Sequence, residues 1–184
     1  MDKLTQPIKI RIDRSERTIA VPLSKKISNI AGGIALHSPI GLAQFERIND
    51  FVEMRRRNAR LYSESLKGIN GITLPIEKEW AKNVYWMYSI LVEPEFGVSR
   101  VELMASLEKK GVETRSFFIP MNEQPVFRNM HLFKGEKYPV AEELSNKGLY
   151  LPSSSGLNPD EIAYVCDSII DIKNKTFGSS NKCL

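Results

Sequence analysis

The sequence predicts an α/β fold in which a long helix and a small sheet are covered by further helices. Two observations favour this fold. Apolar residues recur at helical spacing over the stretch that begins at Pro39, and further on short runs of branched and aromatic residues alternate with capped amphipathic segments. The predicted order is long helix, strand, helix, strand, short helix, helix, strand, helix. Such an order fits a small sheet that is packed on one side by helices.

The long helix has clear signals at both of its ends. Ser38 is a suitable N-cap and Pro39 suits the first helical position. The apolar spacing then continues for roughly seven turns and stops near Lys67 and Gly68. The aromatic and branched run over 83–93 follows and predicts a buried strand.

A capping box opens the next helix. Ser99 is followed three residues later by Glu102, and each side chain can bond the other's backbone N–H. This short helix is expected to end at Gly111. The segment 112–118 predicts a strand, and a short helix is expected from about Gln124 to Asn129.

The last part of the chain predicts two helices with a strand between them. One helix covers about 139–147 with Gly148 as its C-cap, and the strand covers 149–151. The final helix is capped by Asn158 and begins at Pro159. Its apolar face places Cys166 in the core as a free thiol.

These elements predict three regions. Residues 1–38 form a divergent N-terminal segment that stays unassigned, although Ile8, Ile10 and Ile12 alternate with charged residues as in one short strand. Residues 39–173 form the domain. Residues 174–184 are expected to be a disordered tail.

Composition argues against several classes of protein. The 184 residues carry a net charge of +4 and are 42% hydrophobic, which suits one ordinary domain. No apolar run approaches the ~20 residues that span a bilayer, and the N-terminus lacks a secretory signal, so a cytoplasmic location is expected. Cys166 and Cys183 give no disulfide framework, and His37 and His131 have no third ligand, so no metal site is predicted.

Arg55, Arg56 and Arg57 form the densest basic cluster. On a helix they point about 100° apart and cannot form one basic stripe. Because no aromatic residues are interleaved with them, a solvated helix face is favoured over nucleic-acid binding.

From residue 40 onward the sequence closely resembles the C-terminal part of the DegT-type sugar aminotransferases. These are pyridoxal-phosphate enzymes with the aspartate aminotransferase fold, and they transfer an amino group onto a keto nucleotide-sugar in surface polysaccharide or antibiotic sugar biosynthesis. The resemblance covers about three-quarters of the chain and runs through the segments IGLAQFERINDFVEMRRRNARLY, GITLP, NVYWMYSILV, LMASLEKKGVETR, FFIPMNEQPVF, PVAEELSNKGLYLPSS and EIAYVCDSI. It implies the α+β small domain of that fold.

The resemblance also implies where a substrate would bind. In the family, an arginine followed by an aromatic pair and a proline ends a strand of the small domain and walls the substrate side of the cleft. Arg115, Phe118 and Asn122 are therefore the candidate substrate-binding residues. This chain departs from the pattern, because Ser116 replaces a proline, Ile119 stands where an aromatic residue is common, and Asn122 replaces a histidine.

Two plainer interpretations of these residues stay open. Phe118 and its neighbour Phe117 could be core residues with Asn122 as a helix cap. Arg115 could simply form a surface salt bridge with Glu113.

The part of the family that this chain resembles does not include the residues that hold the cofactor. In the family, the Schiff-base lysine, the carboxylate for the pyridinium nitrogen and the phosphate donors lie mainly in a large domain upstream of the long helix. Lys25 and Lys26 match that lysine in residue type only, and the Asn-x-Arg-Met motif that precedes the family's long helix is absent. No catalytic residue is therefore assigned. The chain is expected to be a truncated aminotransferase that neither binds pyridoxal phosphate covalently nor transaminates unless it is complemented.

The alternative is a non-catalytic interaction module. Apolar surface that would face the large domain could be covered by a second copy, by a missing large-domain partner or by a full-length aminotransferase. The long helix from Pro39 is the expected contact face. Neither a nucleic-acid partner nor a membrane is expected.

Overall fold

The structure, a computed structural model, describes residues 41–180, with side chains through residue 176. The chain forms two compact units, Met1–Phe51 and Val52–Leu184. Within the first unit, residues 41–46 are helical. The predictions that involve the strand over 8–12, the Ser38 cap, Lys25, Lys26, His37 and Cys183 fall outside the described residues.

Helix α1 runs over Ile48–Leu66. A turn at Arg47 separates it from the helical residues 41–46, so the predicted single long helix is interrupted. Helix α1 ends as predicted, because Gly68 takes the left-handed conformation with φ of 82°. Its buried residues are Asn58, Ala59, Tyr62 and Leu66.

Four short strands form one antiparallel sheet in the order β1-β2-β4-β3. Their bounds are Ile72–Thr73 for β1, Tyr88–Val92 for β2, Arg115–Ser116 for β3 and Gly148–Leu151 for β4. Strand β4 agrees with its prediction to within one residue.

The predicted strands over 83–93 and 112–118 are both too long. Tyr85 has a positive φ of 45°, which an extended strand cannot accommodate, so the run 83–87 forms an irregular loop before β2. In 112–118 only Arg115 and Ser116 pair with β4. Branched and aromatic residues were therefore an unreliable guide to strand length, because pairing partners decide where a strand ends.

Four more helices complete the unit. They are α2 (Arg100–Glu108), α3 (Pro125–Asn129), α4 (Pro139–Lys147) and α5 (Pro159–Ser180), with 3₁₀ turns at Pro94–Phe96 and Met121–Glu123. The Ser99–Glu102 capping box is present with both of its bonds. Asn158 caps α5 in the same reciprocal way with Glu161. Helix α5 continues to Ser180, past the predicted domain boundary at residue 173, and both predicted boundaries remain predictions.

One face of the sheet lies against the hydrophobic core. Alternate residues of β2 are buried, and β1, α1, α2 and α5 contribute side chains to the same cluster. Cys166 is buried there, as predicted. The fully buried large side chains are Tyr62, Tyr88, Phe96, Leu66, Ile90, Leu103, Leu107, Leu149, Ile162 and Ile169. Within residues 41–180 no helix combines the length and the apolar character needed to cross a membrane.

Candidate functional site

Arg115 and Phe117 lie on the less buried face of the sheet. Arg115 is directly opposite Tyr150 in the ladder, and Tyr150 is opposite Ser89 on β2. Directly opposed residues of an antiparallel pair project to the same side. Arg115, Tyr150 and Ser89 therefore share the face that points away from the core.

Three aromatic side chains cover the edge of this face. The Phe117 ring stacks on Tyr150 with centroids 4.5 Å apart, and the Phe118 ring lies 6.1 Å from Tyr150 at an angle of 57°. Phe117 is half-buried, whereas Phe118 is 69% exposed. The interpretation of Phe118 as a core residue is therefore wrong. We name Arg115, Phe117, Phe118 and Tyr150 the aromatic edge.

Gly148 makes the stacking of the aromatic edge possible. A Cβ at this position would lie 2.2 Å from the Phe117 ring, which is far inside van der Waals contact. Gly148 is in an extended conformation with φ of −75°. Gly148 is the C-cap of α4, as predicted, and its backbone N–H donates to the Leu144 carbonyl. The sequence did not indicate its second role, which is to leave room for the Phe117 ring.

Arg115 forms a salt bridge with Glu113, which is the plainer of the two interpretations of this residue. Its Nη2 lies 3.2 Å from Oε1 of Glu113, and the two side chains are 75% and 81% exposed. Exposed pairs of this kind contribute at most about 1 kcal/mol. The guanidinium can therefore exchange Glu113 for a ligand at little cost.

Asn122 lies in a different surface feature. It belongs to the 3₁₀ turn Met121–Glu123, whose N-cap is Pro120, so the interpretation of Asn122 as a cap is wrong. It lines a shallow cleft of about 570 Å³. The other lining residues are Glu123, Arg128, His131, Leu132, Phe133, Lys134, Glu136, Lys137 and Glu142. The structure thus brings Arg115 and Phe118 together around Tyr150 but places Asn122 in a cleft that neither of them lines.

The arginines of α1 hold the 76–87 loop, a role that sequence reasoning missed. Arg55 Nη1 donates to the carbonyls of Trp86 and Ser153, at 2.6 and 2.9 Å. Arg56 Nη1 binds Glu77 Oε1 at 2.9 Å and also donates to the Asn83 carbonyl. The prediction of a solvated helix face is therefore wrong for these two half-buried side chains. Nothing local in the sequence indicates partners 21 to 98 residues away.

Glu77 is the centre of the loop's own network. Its carboxylate accepts hydrogen bonds from Arg56, from the Asn83 backbone N–H and from the Tyr85 hydroxyl. The hydrogen bond from Arg56 is the main reason that the pKa of Glu77 is below its ordinary value. The loop is fixed while Trp80 and Trp86 remain 87% and 64% exposed.

Lys147 and Lys173 are each engaged in contacts within the chain. Lys147 is held between Glu93 and Glu143, at 2.8 and 2.6 Å, and its bond to Glu143 is the main cause of its raised pKa. Burial lowers the pKa of Lys173, but its ammonium group donates to the Glu95 carbonyl and lies over the Phe96 ring, and Lys173 does not line the cleft that contains Asn122.

Carboxylates of the chain cap the N-termini of three helices. Helix N-termini bind anions through free backbone N–H groups. At the start of α2, α4 and α5 the carboxylates of Glu102, Glu142 and Glu161, respectively, already accept a hydrogen bond from a backbone N–H. These three helix ends are therefore already capped by the chain itself. No cluster of metal-ligating side chains is present among residues 41–180.

The described residues and the full sequence agree with known sugar aminotransferases. The profile of the DegT/DnrJ/EryC1/StrS aminotransferase family matches residues 34–170. GDP-perosamine synthase of Vibrio cholerae is 33% identical over 134 residues, which cover 73% of this chain and 36% of that enzyme. The dTDP-4-amino-4,6-dideoxy-D-glucose transaminase of Shigella dysenteriae is 31% identical over 140 residues, which cover 75% of this chain and 37% of that enzyme. The chain thus spans little more than a third of the length of these relatives.

Solved structures show the same fold. Helicobacter pylori PseC, an aminotransferase involved in pseudoaminic acid biosynthesis, matches with a TM-score of 0.66 at 21% identity, over 73% of this chain and 36% of PseC. The aminotransferase TlmJ of Streptoalloteichus hindustanus matches with a TM-score of 0.65 at the same identity, over 75% of this chain and 36% of TlmJ. The predicted α/β fold is therefore confirmed. With the profile match over residues 34–170, the chain belongs to the DegT/DnrJ/EryC1/StrS aminotransferase family.

Proposed function

We propose that this chain is the substrate-side domain of a pyridoxal-phosphate-dependent aminotransferase that acts on a keto nucleotide-sugar. Arg115 binds phosphate or sugar hydroxyl oxygens, Phe118 packs against the sugar, and Asn122 contributes a further hydrogen bond. The chain does not bind the cofactor covalently and does not transaminate by itself. A large domain on a separate polypeptide or an upstream segment completes the enzyme.

The main support for this proposal is the aromatic edge. Arg115 has a planar fork of donors that suits phosphate and sugar oxygens, and its Glu113 partner is highly exposed. Phe118 presents an exposed ring beside Tyr150. A cation next to an exposed aromatic surface, on the less buried face of a rigid sheet, suits a ligand that is both polar and partly apolar.

Cofactor capture can be tested on the purified 184-residue chain. We expect that pyridoxal phosphate followed by borohydride leaves no lysine stoichiometrically labelled, because Lys147 and Lys173 have partners within the chain and carboxylates cap the N-termini of α2, α4 and α5. Mass mapping of tryptic peptides gives the answer. Labelling of one lysine, together with amino transfer to a keto nucleotide-sugar, would contradict the claim of inactivity.

The substrate-side role can be tested in a chimera. Residues 34–170 replace the matched part of the Vibrio cholerae GDP-perosamine synthase, and amino transfer is measured. We expect Arg115→Ala to lower kcat/KM by about 10- to 100-fold, the cost of losing a hydrogen bond between charged groups. Arg60→Ala is the matched control, since Arg60 makes only an exposed pair with Glu53. An active chimera that is equally insensitive to both changes would refute the role of Arg115.

A further inference from the structure

Three polar side chains form a row across the sheet, on the face that points away from the core. Arg115 of β3 is directly opposite Tyr150 of β4, and Tyr150 is directly opposite Ser89 of β2. We name these three residues the polar row. Neighbouring strands lie about 4.8 Å apart, so the row extends over about 10 Å at right angles to the strands. It therefore places a guanidinium and two hydroxyls in a line on a hydrogen-bonded backbone.

The hydroxyl of Tyr150 differs from those of the other tyrosines. The remaining five tyrosine hydroxyls each have a hydrogen-bond partner within the chain. The Tyr150 hydroxyl has none among the described residues, although its ring is half-buried and stacked on Phe117. Burial raises the pKa of this hydroxyl, so at neutral pH it is protonated and can donate a hydrogen bond. A ring that is held in place with an unused hydroxyl is suited to bind an oxygen of a ligand.

Ser89 has the same property at the other end of the row. It is half-buried between Tyr88 and Ile90, which both face the core. Its hydroxyl makes no hydrogen bond within the described part of the chain. The Ser153 hydroxyl, near the end of the same ladder, instead donates to the Leu151 carbonyl and accepts from the Tyr88 backbone N–H. The polar row therefore ends in a hydroxyl that the fold does not use.

An apolar strip lies beside the polar row on the same face. It consists of Phe117, Gly148 and Leu91, which are the next opposed residues along the three strands. The Phe117 ring occupies the space that a side chain at Gly148 would need, and Leu91 is half-buried. A row of hydrogen-bonding groups next to an apolar strip suits a sugar ring, because a sugar has polar hydroxyls at its rim and apolar C–H groups on its faces.

We propose that the polar row orients the nucleotide-sugar across the strands, with its diphosphate at Arg115 and its sugar extending over Tyr150 towards Ser89. This inference rests on the proposed function and adds to it two binding residues, Tyr150 and Ser89, and the direction of the ligand. The direction follows from the single cation at one end of the row, because a guanidinium binds phosphate oxygens through charge-assisted hydrogen bonds. The two neutral hydroxyls can each donate to and accept from sugar hydroxyls.

NMR of the full chain tests the contact at Tyr150, with GDP-mannose as the nucleotide-sugar probe. Tyrosine labelled with carbon-13 at Cζ gives one signal for each of the six tyrosines, and Tyr150→Phe identifies the signal of Tyr150. We expect GDP-mannose at up to about 10 mM to move the Tyr150 signal saturably, since binding by one domain of the enzyme is weak. The Tyr164 signal should not move, because Tyr164 is on α5 and its hydroxyl is bound to the Lys110 carbonyl.

Variants test the direction of the ligand, and the phosphorus-31 signals of the ligand give the dissociation constants. Ser89→Ala should weaken the binding of GDP-mannose about 2- to 10-fold, the effect of one neutral hydrogen bond, and leave the binding of GDP unchanged. Arg115→Ala should weaken the binding of both ligands about 10-fold or more. Tyr150→Phe keeps the ring and loses only the hydroxyl, so it should weaken the binding of GDP-mannose as Ser89→Ala does and leave urea unfolding unchanged.

Tyr164→Phe is the matched control, since it makes the same chemical change outside the polar row and should bind GDP-mannose as wild type does. If Arg115→Ala weakens binding but Tyr150→Phe and Ser89→Ala do not, the polar row is refuted and the substrate-side role of Arg115 stands. If Arg115→Ala has no effect and GDP-mannose moves no tyrosine signal, both are refuted. An equal loss of GDP and GDP-mannose binding in Ser89→Ala would overturn the direction, and an equal loss in Tyr164→Phe would overturn the role of the Tyr150 hydroxyl.

Discussion

At the scale of single residues, Gly148 shows how one missing side chain determines a surface. Its backbone is ordinary extended structure, so no unusual dihedral requires glycine. The requirement comes from the Phe117 ring, whose carbons lie 2.2 to 2.4 Å from the position of a Cβ. Phe117 in turn supports Tyr150 in the aromatic edge.

We expect Gly148→Ala to destabilise the domain by about 1–3 kcal/mol, because the ring must leave its place. Gly156→Ala is the control, since the nearest atom to its Cβ would be the Ser154 hydroxyl oxygen at 3.7 Å, an ordinary contact. It should leave the free energy of unfolding within about 1 kcal/mol of wild type. Urea unfolding followed by circular dichroism compares the two. Equal effects would refute the steric explanation.

Cys166 should make stability depend on pH in the alkaline range. Burial raises the pKa of its thiol from 9.0 to about 11. Between these values the unfolded chain releases the proton and the folded chain keeps it, so the free energy of unfolding falls as pH rises from about 9 to 11. Below pH 9 the thiol has no effect.

Urea unfolding at pH 8 and pH 10 measures this effect. Cys166→Ala should flatten the dependence, by no more than about 1.4 kcal/mol per pH unit for one group. The buried tyrosines affect the free energy of unfolding only at higher pH, since burial raises the pKa of Tyr88 to about 12. Identical slopes for wild type and variant would show that the thiol is not protected by the fold.

At the scale of elements, α1 acts as a clamp for the 76–87 loop. We expect Arg56→Ala to destabilise the domain by about 2 kcal/mol, since it removes a charged bond to Glu77 and a bond to the Asn83 carbonyl. Loop amides such as that of Asn83 should also exchange faster. Hydrogen-exchange mass spectrometry and urea unfolding are the measurements.

Arg60→Ala is the control for Arg56→Ala. Arg60 is on the same helix but pairs with Glu53 where both side chains are more than half exposed, so its loss should cost less than about 1 kcal/mol. Unchanged exchange in the loop after Arg56→Ala would mean that the clamp is not needed to order it.

Elements with local causes could be predicted from the sequence. The Ser99–Glu102 and Asn158–Glu161 caps connect residues three positions apart, so the spacing alone identifies them. Strand ends could not be predicted, because they depend on distant partners. β3 pairs only through Arg115 and Ser116, although the same branched and aromatic pattern extends on both sides.

The candidate site could be predicted only in part for the same reason. Arg115 and Phe118 were identified by resemblance, but Tyr150, which connects them, lies more than thirty residues downstream and has no local signal. The carbonyl partners of Arg55 and Arg56 are similarly distant in sequence. The separation of Asn122 from the aromatic edge also depends on tertiary packing that a linear pattern does not contain.

At the scale of the whole molecule, the net charge of +4 does not imply nucleic-acid binding. Arg55, Arg56 and Arg57 each donate to a backbone carbonyl within the chain, so they are not free to bind phosphates. We expect no complex with a duplex DNA in an electrophoretic shift assay at about 50 mM salt, where electrostatic binding is strong. A complex that weakens steeply with added salt would contradict this expectation.

The two outer strands of the sheet are each only two residues long. A long open edge presents a row of unpaired N–H and C=O groups that recruits other chains and seeds fibrils. Strands β1 and β3 offer almost no such row, so neither outer edge of the sheet can pair with a long strand of another chain. A strand of another polypeptide therefore finds little edge to pair with, and the sheet itself is poorly suited to start amyloid growth.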